Sequence, residues 1–147
     1  MLSAEEDPTA TGTYQVAGLG SDLGIDVAGP TPEACLTAAV AGLAAAVGEA
    51  DETATRHDAP ITVTGDAPVD LLVGLLDEVI ARLDADGELA VGLTGAQLDD
   101  EGLHGVLELV ALADVSVRRR TPKAATWHGA RLTPAGDRWT GHVMIDL

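Results

Sequence analysis

A first run of apolar residues at helical spacing lies between residues 29 and 49. Apolar side chains that recur every three or four positions fall on one face of an α-helix. Thr31 is a typical N-cap and Pro32 suits the first turn, so the helix is predicted to begin there. The apolar face comprises Leu36, Val40, Leu43 and Val47.

A second helical pattern runs from Pro68 to Asp84, and Gly87 is placed to end it because glycine readily adopts the left-handed conformation of a helix C-terminus. Its apolar positions are Val69, Leu72, Leu76, Val79, Ile80 and Leu83. The sequence therefore predicts two amphipathic helices separated by a short stretch.

The other ordered segments have strand-like composition or alternate with period two. They are TYQVAG (13–18), LGIDVAG (23–29), ITVTG (61–65), ELAVGLTG (88–95) and the last part of the chain. The segment LHGVLELVALADVSVRR (103–119) is more strand-like than helical, but the run from Leu103 to Ala113 is ambiguous because VLELVALA also fits a helix. This order predicts an α+β fold, with the two amphipathic helices packed on a mostly antiparallel β-sheet layer.

The last strand separates its residues most clearly into two faces. Apolar or small residues form one face, at Trp139, Gly141, Val143, Ile145 and Leu147. Thr140, His142, Met144 and Asp146 form the other. The preceding ATWHGARL and the turn-forming TPAGD complete a predicted β-hairpin. An acid that ends an otherwise apolar strand makes Asp146 the first candidate for a functional residue.

The length of 147 residues is that of one domain. Residues 1–12 are polar and acidic with almost no apolar content, which predicts a flexible tail, and residues 13–147 form the predicted domain. The single cysteine, Cys35, excludes an internal disulfide and is expected to be a buried helical residue. Neither a signal peptide nor a membrane-spanning segment is recognisable, so we expect a cytoplasmic protein.

The formal net charge of −16 disfavours direct, broad binding of nucleic acid. The acidity has two explanations that the sequence leaves open, solvation of the surface or docking of a basic partner. No phosphate-binding loop, dinucleotide fingerprint, nucleophile elbow or zinc pattern occurs, which disfavours the enzyme classes that carry them.

The order of segments resembles the archease family, small proteins that assist the RNA ligase joining 3′-phosphate or cyclic-phosphate ends to 5′-hydroxyl ends. The resemblance extends from Tyr14 to Leu147. Its most specific part is KAATWH followed by a terminal VMIDL. The other matching segments are LGSDLGIDVAG, GPTPEACLTAAVAGL and DLLVGLLDEVI. Leu19 and Gly20 depart from the family, which has histidine and threonine there.

The resemblance implies a divalent metal site formed by Asp22, Asp146 and Leu147, which would give either its main-chain carbonyl or its terminal carboxylate. Oxygen donors suit hard cations, calcium first, with magnesium or manganese as alternatives. The residues alone favour a turn-forming Asp22 and a solvated Asp146. Asp26 lies on the same strand face as Asp22 and is a further potential ligand.

Two more residues are candidates for contact with a partner or a phosphate. Lys123 occupies the position of the family's lysine, and His128 lies in the same KAATWH segment. His142 and His128 are also candidates for a dyad with Asp146. The Arg118–Arg120 cluster is either a contact to RNA or a partner, or a solvated loop.

The function implied by the resemblance is that of a non-catalytic activator. It would dock on an RNA-splicing ligase, promote guanylylation of that enzyme and allow multiple turnover in tRNA splicing or RNA repair, contacting RNA only through the ligase. The alternative is a metal-binding chaperone or interaction module no longer tied to RNA ligation, which the departures at Leu19 and Gly20 would suit.

Overall fold

The computed structural model describes residues 11–147, so the first ten residues of the predicted tail lie outside the described part. The elements are β1 (Thr13–Leu19), β2 (Asp22–Gly29), α1 (Pro32–Val47), β3 (Gly48–Ala50), β4 (Arg56–Thr64), α2 (Pro68–Asp86), β5 (Glu88–Asp99), β6 (Gly102–Ala111), β7 (Val115–Arg118), β8 (Ala124–Ala135) and β9 (Arg138–Asp146).

Two antiparallel sheets enclose the helices. The larger has the strand order β1-β2-β9-β8 and the smaller the order β4-β6-β5, while β3 and β7 form a separate pair. Both helices contact strands of both sheets. The predicted α+β class is confirmed, and the predicted sheet layer is divided into two layers with the helices between them.

Burial on both sides explains the composition of α1. Ten of its sixteen residues are buried, including four alanines, so the helix has little polar face. Small side chains allow both sheets to approach the helix axis closely. The helix begins as predicted, with the Thr31 hydroxyl accepting a hydrogen bond from the Ala34 amide at 3.1 Å.

The second helix extends two residues beyond its predicted end. Gly87 adopts the left-handed conformation at the C-cap, with φ of 64°, as its position in the sequence predicted. At the other end, the Asp70 carboxylate accepts a hydrogen bond from the Ala67 amide at 3.0 Å. This contact compensates for the missing capping side chain at Ala67.

The structure corrects the predicted start of one strand and settles the structure of one ambiguous segment. Strand β4 begins at Arg56, five residues before the predicted strand ITVTG (61–65). Pro60 is tolerated because β4 is an edge strand. The ambiguous run from Leu103 to Ala113 is mostly strand β6, which pairs with β4 and β5 on its two sides.

The core is aliphatic, and the two faces of β9 divide as the alternation predicted. Val143 and Ile145 are completely buried, whereas Asp146 is exposed. Cys35 is also buried, as predicted, and burial raises the pKa of its thiol, an effect partly opposed by Arg138. The thiol is therefore poorly suited to act as a nucleophile.

Candidate functional site

The two predicted aspartates are directly opposite each other in the four-stranded sheet. Strands β2 and β9 pair antiparallel, and their register places Asp22 across from Asp146. The Cβ atoms of such a pair lie about 4.5–5.5 Å apart, on the same face of the sheet. Residues from opposite ends of the sequence thus present two carboxylates to one point.

A tight hairpin turn fixes the position of Asp22. Strand β1 ends at Leu19, which pairs with Asp22, so only Gly20 and Ser21 form the loop. Gly20 has φ of 65°, which favours glycine and fits the first loop position of a type II′ turn. The Leu147 amide donates a hydrogen bond to the Ser21 carbonyl at 2.9 Å, which holds the end of β9 against this turn.

The start of β8 lies beside the same two strand ends. The Lys123 amide donates a hydrogen bond to the Asp146 carbonyl at 2.7 Å, and Ala124 pairs with Asp146. The Asp146 carbonyl is therefore already engaged, and the oxygen of Leu147 is the better backbone donor for a ligand. The structure thus places Asp22, Asp146 and Leu147 close together, with the backbone of Lys123 beside them.

The aspartate pair places two negative charges side by side. Like charges directly opposite each other on a sheet are destabilising. Within residues 11–147, neither carboxylate forms an ion pair or a side-chain hydrogen bond. The same part of the chain contains no cluster of three or more His, Cys, Asp or Glu side chains suited to a metal. Two carboxylates with nearby backbone oxygens fit a hard, partly hydrated cation.

His142 does not form the suggested dyad with Asp146. Its Nδ1 lies 2.8 Å from a carboxylate oxygen of Asp26, the residue opposite it in β2. His142 and Asp146 are four positions apart on β9, so the histidine is about 13 Å further along the sheet. Asp26 shares the face of Asp22, as predicted. It lies opposite His142, however, four positions along β2 from Asp22, and is therefore apart from the aspartate pair.

His128 lies apart from the aspartates, in an irregular part of β8. The register with β9 shifts between Thr126 and Arg131, and both Trp127 and His128 are exposed there. His128 therefore faces solvent rather than the aspartate pair. Its role as a contact residue stays a prediction.

The arginine cluster has two members with structural roles. Arg118 donates hydrogen bonds to the carbonyls of Leu112, at 2.7 Å, and Val115, at 3.2 Å. Arg119 forms an ion pair with Glu49 and approaches the Ala45 carbonyl near the C-terminus of α1, at 3.4 Å. A cation at a helix C-terminus is favourable because the last carbonyls carry partial negative charge.

One further polar contact could not be found from the sequence. The carboxylate of Asp77, on α2, accepts a hydrogen bond at 2.8 Å from the amide of Ala125 on β8. This contact satisfies a donor on an edge strand, where unpaired backbone groups invite unwanted strand pairing. It also anchors the part of β8 that lies next to the aspartate pair. Nothing in the local sequence of the helix indicates it.

The structure between residues 11 and 147 contains no helix long and apolar enough to cross a bilayer.

Comparison with known proteins adds sequence evidence. Residues 14–147 match the sequence profile of the archease protein family. The probable protein archease of Mycobacterium tuberculosis is 30% identical over 130 residues, covering 86% of this chain and 70% of that protein. The protein archease of Thermoplasma acidophilum is 27% identical over 129 residues, covering 78% of this chain and 91% of that protein.

Two solved structures share the fold. The solution structure of protein 1598 of Methanobacterium thermoautotrophicum has a TM-score of 0.69 at 20% identity and covers 91% of this chain and 98% of its own. The crystal structure of an archease, possible chaperone, from Thermotoga maritima has a TM-score of 0.63 at 15% identity, with coverages of 90% and 96%. The profile match over nearly the whole chain, together with the similarity of the curated relatives, shows that the chain belongs to the archease family.

Proposed function

We propose that this protein is an accessory factor that activates an RNA ligase joining 3′-phosphate and 5′-hydroxyl RNA ends. It would act in the cytoplasm, in tRNA splicing or RNA repair, by promoting guanylylation of the ligase and its repeated turnover. Membership of the archease family supports this proposal. The observation that carries it is the placement of Asp22 opposite Asp146, beside Lys123.

In this proposal Asp22 and Asp146 hold one divalent cation, with calcium preferred and magnesium or manganese as alternatives. An oxygen of Leu147 and water would complete the coordination. The charge repulsion within the pair supports the assignment, because a bound cation relieves it. The cation would supply positive charge for a phosphate or carboxylate group of the partner.

Lys123 would contribute a second positive charge at the same end of the sheet. Its side chain is exposed, while its backbone amide is held by Asp146. An ammonium group next to a bound cation suits contact with a phosphate or with an acidic surface of the ligase. The position therefore combines two features that a docking partner with an anionic group would recognise.

We infer an assisting role rather than catalysis, and the description of the archease of Thermotoga maritima as a possible chaperone supports this choice. Within the described residues, no histidine, cysteine or serine side chain hydrogen-bonds to either aspartate. His142, the nearest candidate base on β9, is engaged with Asp26.

The experiment is a ligation assay with the RNA ligase encoded in the same genome, measuring turnover with and without this protein. We expect Asp22→Ala and Asp146→Ala to remain folded, as judged by circular dichroism, and to lose stimulation of the ligase. Asp58→Ala is the matched control, because Asp58 also faces an acid across a sheet. Full stimulation by both site variants would disprove the metal-dependent activation.

The second candidate is a metal-binding chaperone or interaction module without a role in RNA ligation. The observation that favours it is Gly20, which departs from the family pattern and shapes the turn next to Asp22. This candidate predicts calcium binding by the purified protein but neither association with the ligase nor stimulation of it. The ligation assay therefore separates the two functions.

A further inference from the structure

Trp127 exposes an unusually large apolar surface. The relative exposure of its side chain is 59%. The other large hydrophobic residues that are exposed in the described chain are Tyr14, at 42%, and Val117, at 43%. Aromatic residues make up only 2% of the sequence, and the core is built without phenylalanine. Burial of a tryptophan can remove roughly 150–250 Å² from water, so its exposure forgoes substantial stabilisation.

The backbone of β8 is irregular where Trp127 lies. Thr126 pairs with Met144 and Arg131 pairs with His142, so four residues of β8, 127–130, stand opposite the single Val143 of β9. Gly129 has φ of 72°, a conformation that other residues rarely adopt. Such bulges redirect side chains at sheet edges, and β8 is an edge strand. We call residues 127–130 the β8 bulge.

The charge around the β8 bulge differs from that of the rest of the molecule. Residues 123–136, which include the whole of β8, contain Lys123 and Arg131 and no acidic residue. Lys123 and Arg131 lie on either side of the bulge and are exposed. The strongly acidic remainder would repel an acidic partner, so such a partner would be steered toward this edge.

We propose that the β8 bulge docks into an apolar, acid-rimmed pocket of a protein partner, with Trp127 as the anchor. The inference rests on the proposed function, because the partner would be the RNA ligase. Tryptophan and arginine are the residues most enriched at the energetic centres of protein interfaces. The net charge of −16 disfavours a nucleic acid as the occupant, since a polyanion would meet repulsion from most of the surface.

Docking at the β8 bulge would also present the aspartate pair to the partner. Ala124, at the start of β8, pairs with Asp146, and Trp127 follows three positions later. That separation corresponds to roughly 10 Å along a strand. A partner that buries Trp127 therefore lies within reach of Lys123 and of a cation bound by Asp22 and Asp146.

The test measures the affinity of the purified full-length protein for the ligase by isothermal titration calorimetry. Trp127→Ala is expected to weaken binding at least about tenfold, as for an interface hot spot. Val117→Ala removes an exposed apolar side chain elsewhere and is expected to leave affinity unchanged. Arg131→Glu should slow association, most strongly at low salt, whereas Arg56→Glu in the other sheet should not.

Each outcome separates the docking proposal from the proposed function. Equal ligase affinity of the wild type and Trp127→Ala would overturn docking and leave activation standing. Binding of a fluorescent single-stranded RNA that is lost in Trp127→Ala, with ligase affinity unchanged, would assign the β8 bulge to RNA instead. A wild type that does not bind the ligase would overturn both. Loss of affinity in Trp127→Ala, together with full stimulation by Asp22→Ala and Asp146→Ala, would support docking and exclude the metal centre.

Discussion

Within the described residues, two pairs of acidic residues face each other across strands, one in each of the two larger sheets. In the three-stranded sheet, Asp58 lies opposite Glu108, and Arg56 forms an ion pair with Glu108. In the four-stranded sheet, Asp22 lies opposite Asp146, and neither forms an ion pair within the described residues. The same unfavourable arrangement is compensated by a side chain in one sheet and left uncompensated in the other.

The backbone around the two pairs differs as well. Asp58 and Glu108 lie in the middle of their strands, and Glu108 is paired on both sides, with β4 and with β5. Asp22 and Asp146 lie at strand ends, next to a hairpin turn and to Leu147. A metal needs several oxygen donors, and Leu147, just beyond the end of β9, supplies oxygen outside the sheet next to the aspartate pair. The comparison teaches that an acid pair becomes a candidate metal site through its position as well as its charge.

The largest expected effect concerns calcium and the uncompensated pair. At free calcium of about one hundred times the dissociation constant, binding should raise the free energy of unfolding by about 2.7 kcal/mol in the wild type. Asp146→Asn should lose most of this increment, because it removes one charged ligand. Asp58→Asn should retain it. Urea denaturation with calcium or with chelator measures the increment, and an unchanged value in Asp146→Asn would contradict the site.

A smaller effect is expected from the turn that positions Asp22. Gly20 and Gly136 both have positive φ, 65° and 68°, and an added Cβ meets nothing within 4 Å at either. Alanine should therefore cost about 1–2 kcal/mol of stability at each position through backbone strain alone. Only Gly20→Ala should also weaken calcium binding, since Gly136 lies in the distant turn between β8 and β9. Equal calcium affinity of both variants would show that the turn does not position the ligand.

The smallest effect concerns the compensated pair. Arg56→Gln leaves Asp58 opposite Glu108 without the arginine, and should lower the free energy of unfolding by about 0.2–1 kcal/mol because the ion pair is exposed. It should not create a calcium response, because this pair lies in the middle of its strands, away from a turn or strand end that would supply further oxygen donors. Thermal unfolding with and without calcium tests this. A new calcium-dependent rise in the melting temperature would mean that an uncompensated acid pair alone is sufficient.

The sequence predicted the helices well because their signals are local. Thr31, Pro32 and Gly87 act on backbone groups within a few residues, and the structure places each in its expected role. The start of β4 was not predicted, because ETATRHDAP has the composition of a turn and becomes a strand only through pairing with β6. Likewise, the segment from Leu103 to Ala113 also fits a helix locally, and its pairing with two neighbouring strands decides its structure.

The candidate site shows the same division between local and long-range information. The family resemblance selected Asp22, Asp146, Leu147 and Lys123 one by one, and alternation assigned a face to Asp146. Their proximity depends on the register of β2 with β9 and of β9 with β8. The pairing of His142 with Asp26, rather than Asp146, follows from the same register. Nothing in the sequence around His142 indicates whether its side chain will contact Asp26 or Asp146.

By itself, the sequence determined the two helices, the α+β class, the polar and apolar faces of the last strand and the resemblance to archeases. These properties depend on local spacing and on residue types within short segments. The tertiary structure alone decided that the helices lie between two sheets, that Asp22 faces Asp146 without a compensating arginine, and that Trp127 projects from an irregular edge strand. Strand register, charge compensation and exposure depend on contacts between residues far apart in the chain, and alternation along one strand cannot fix them.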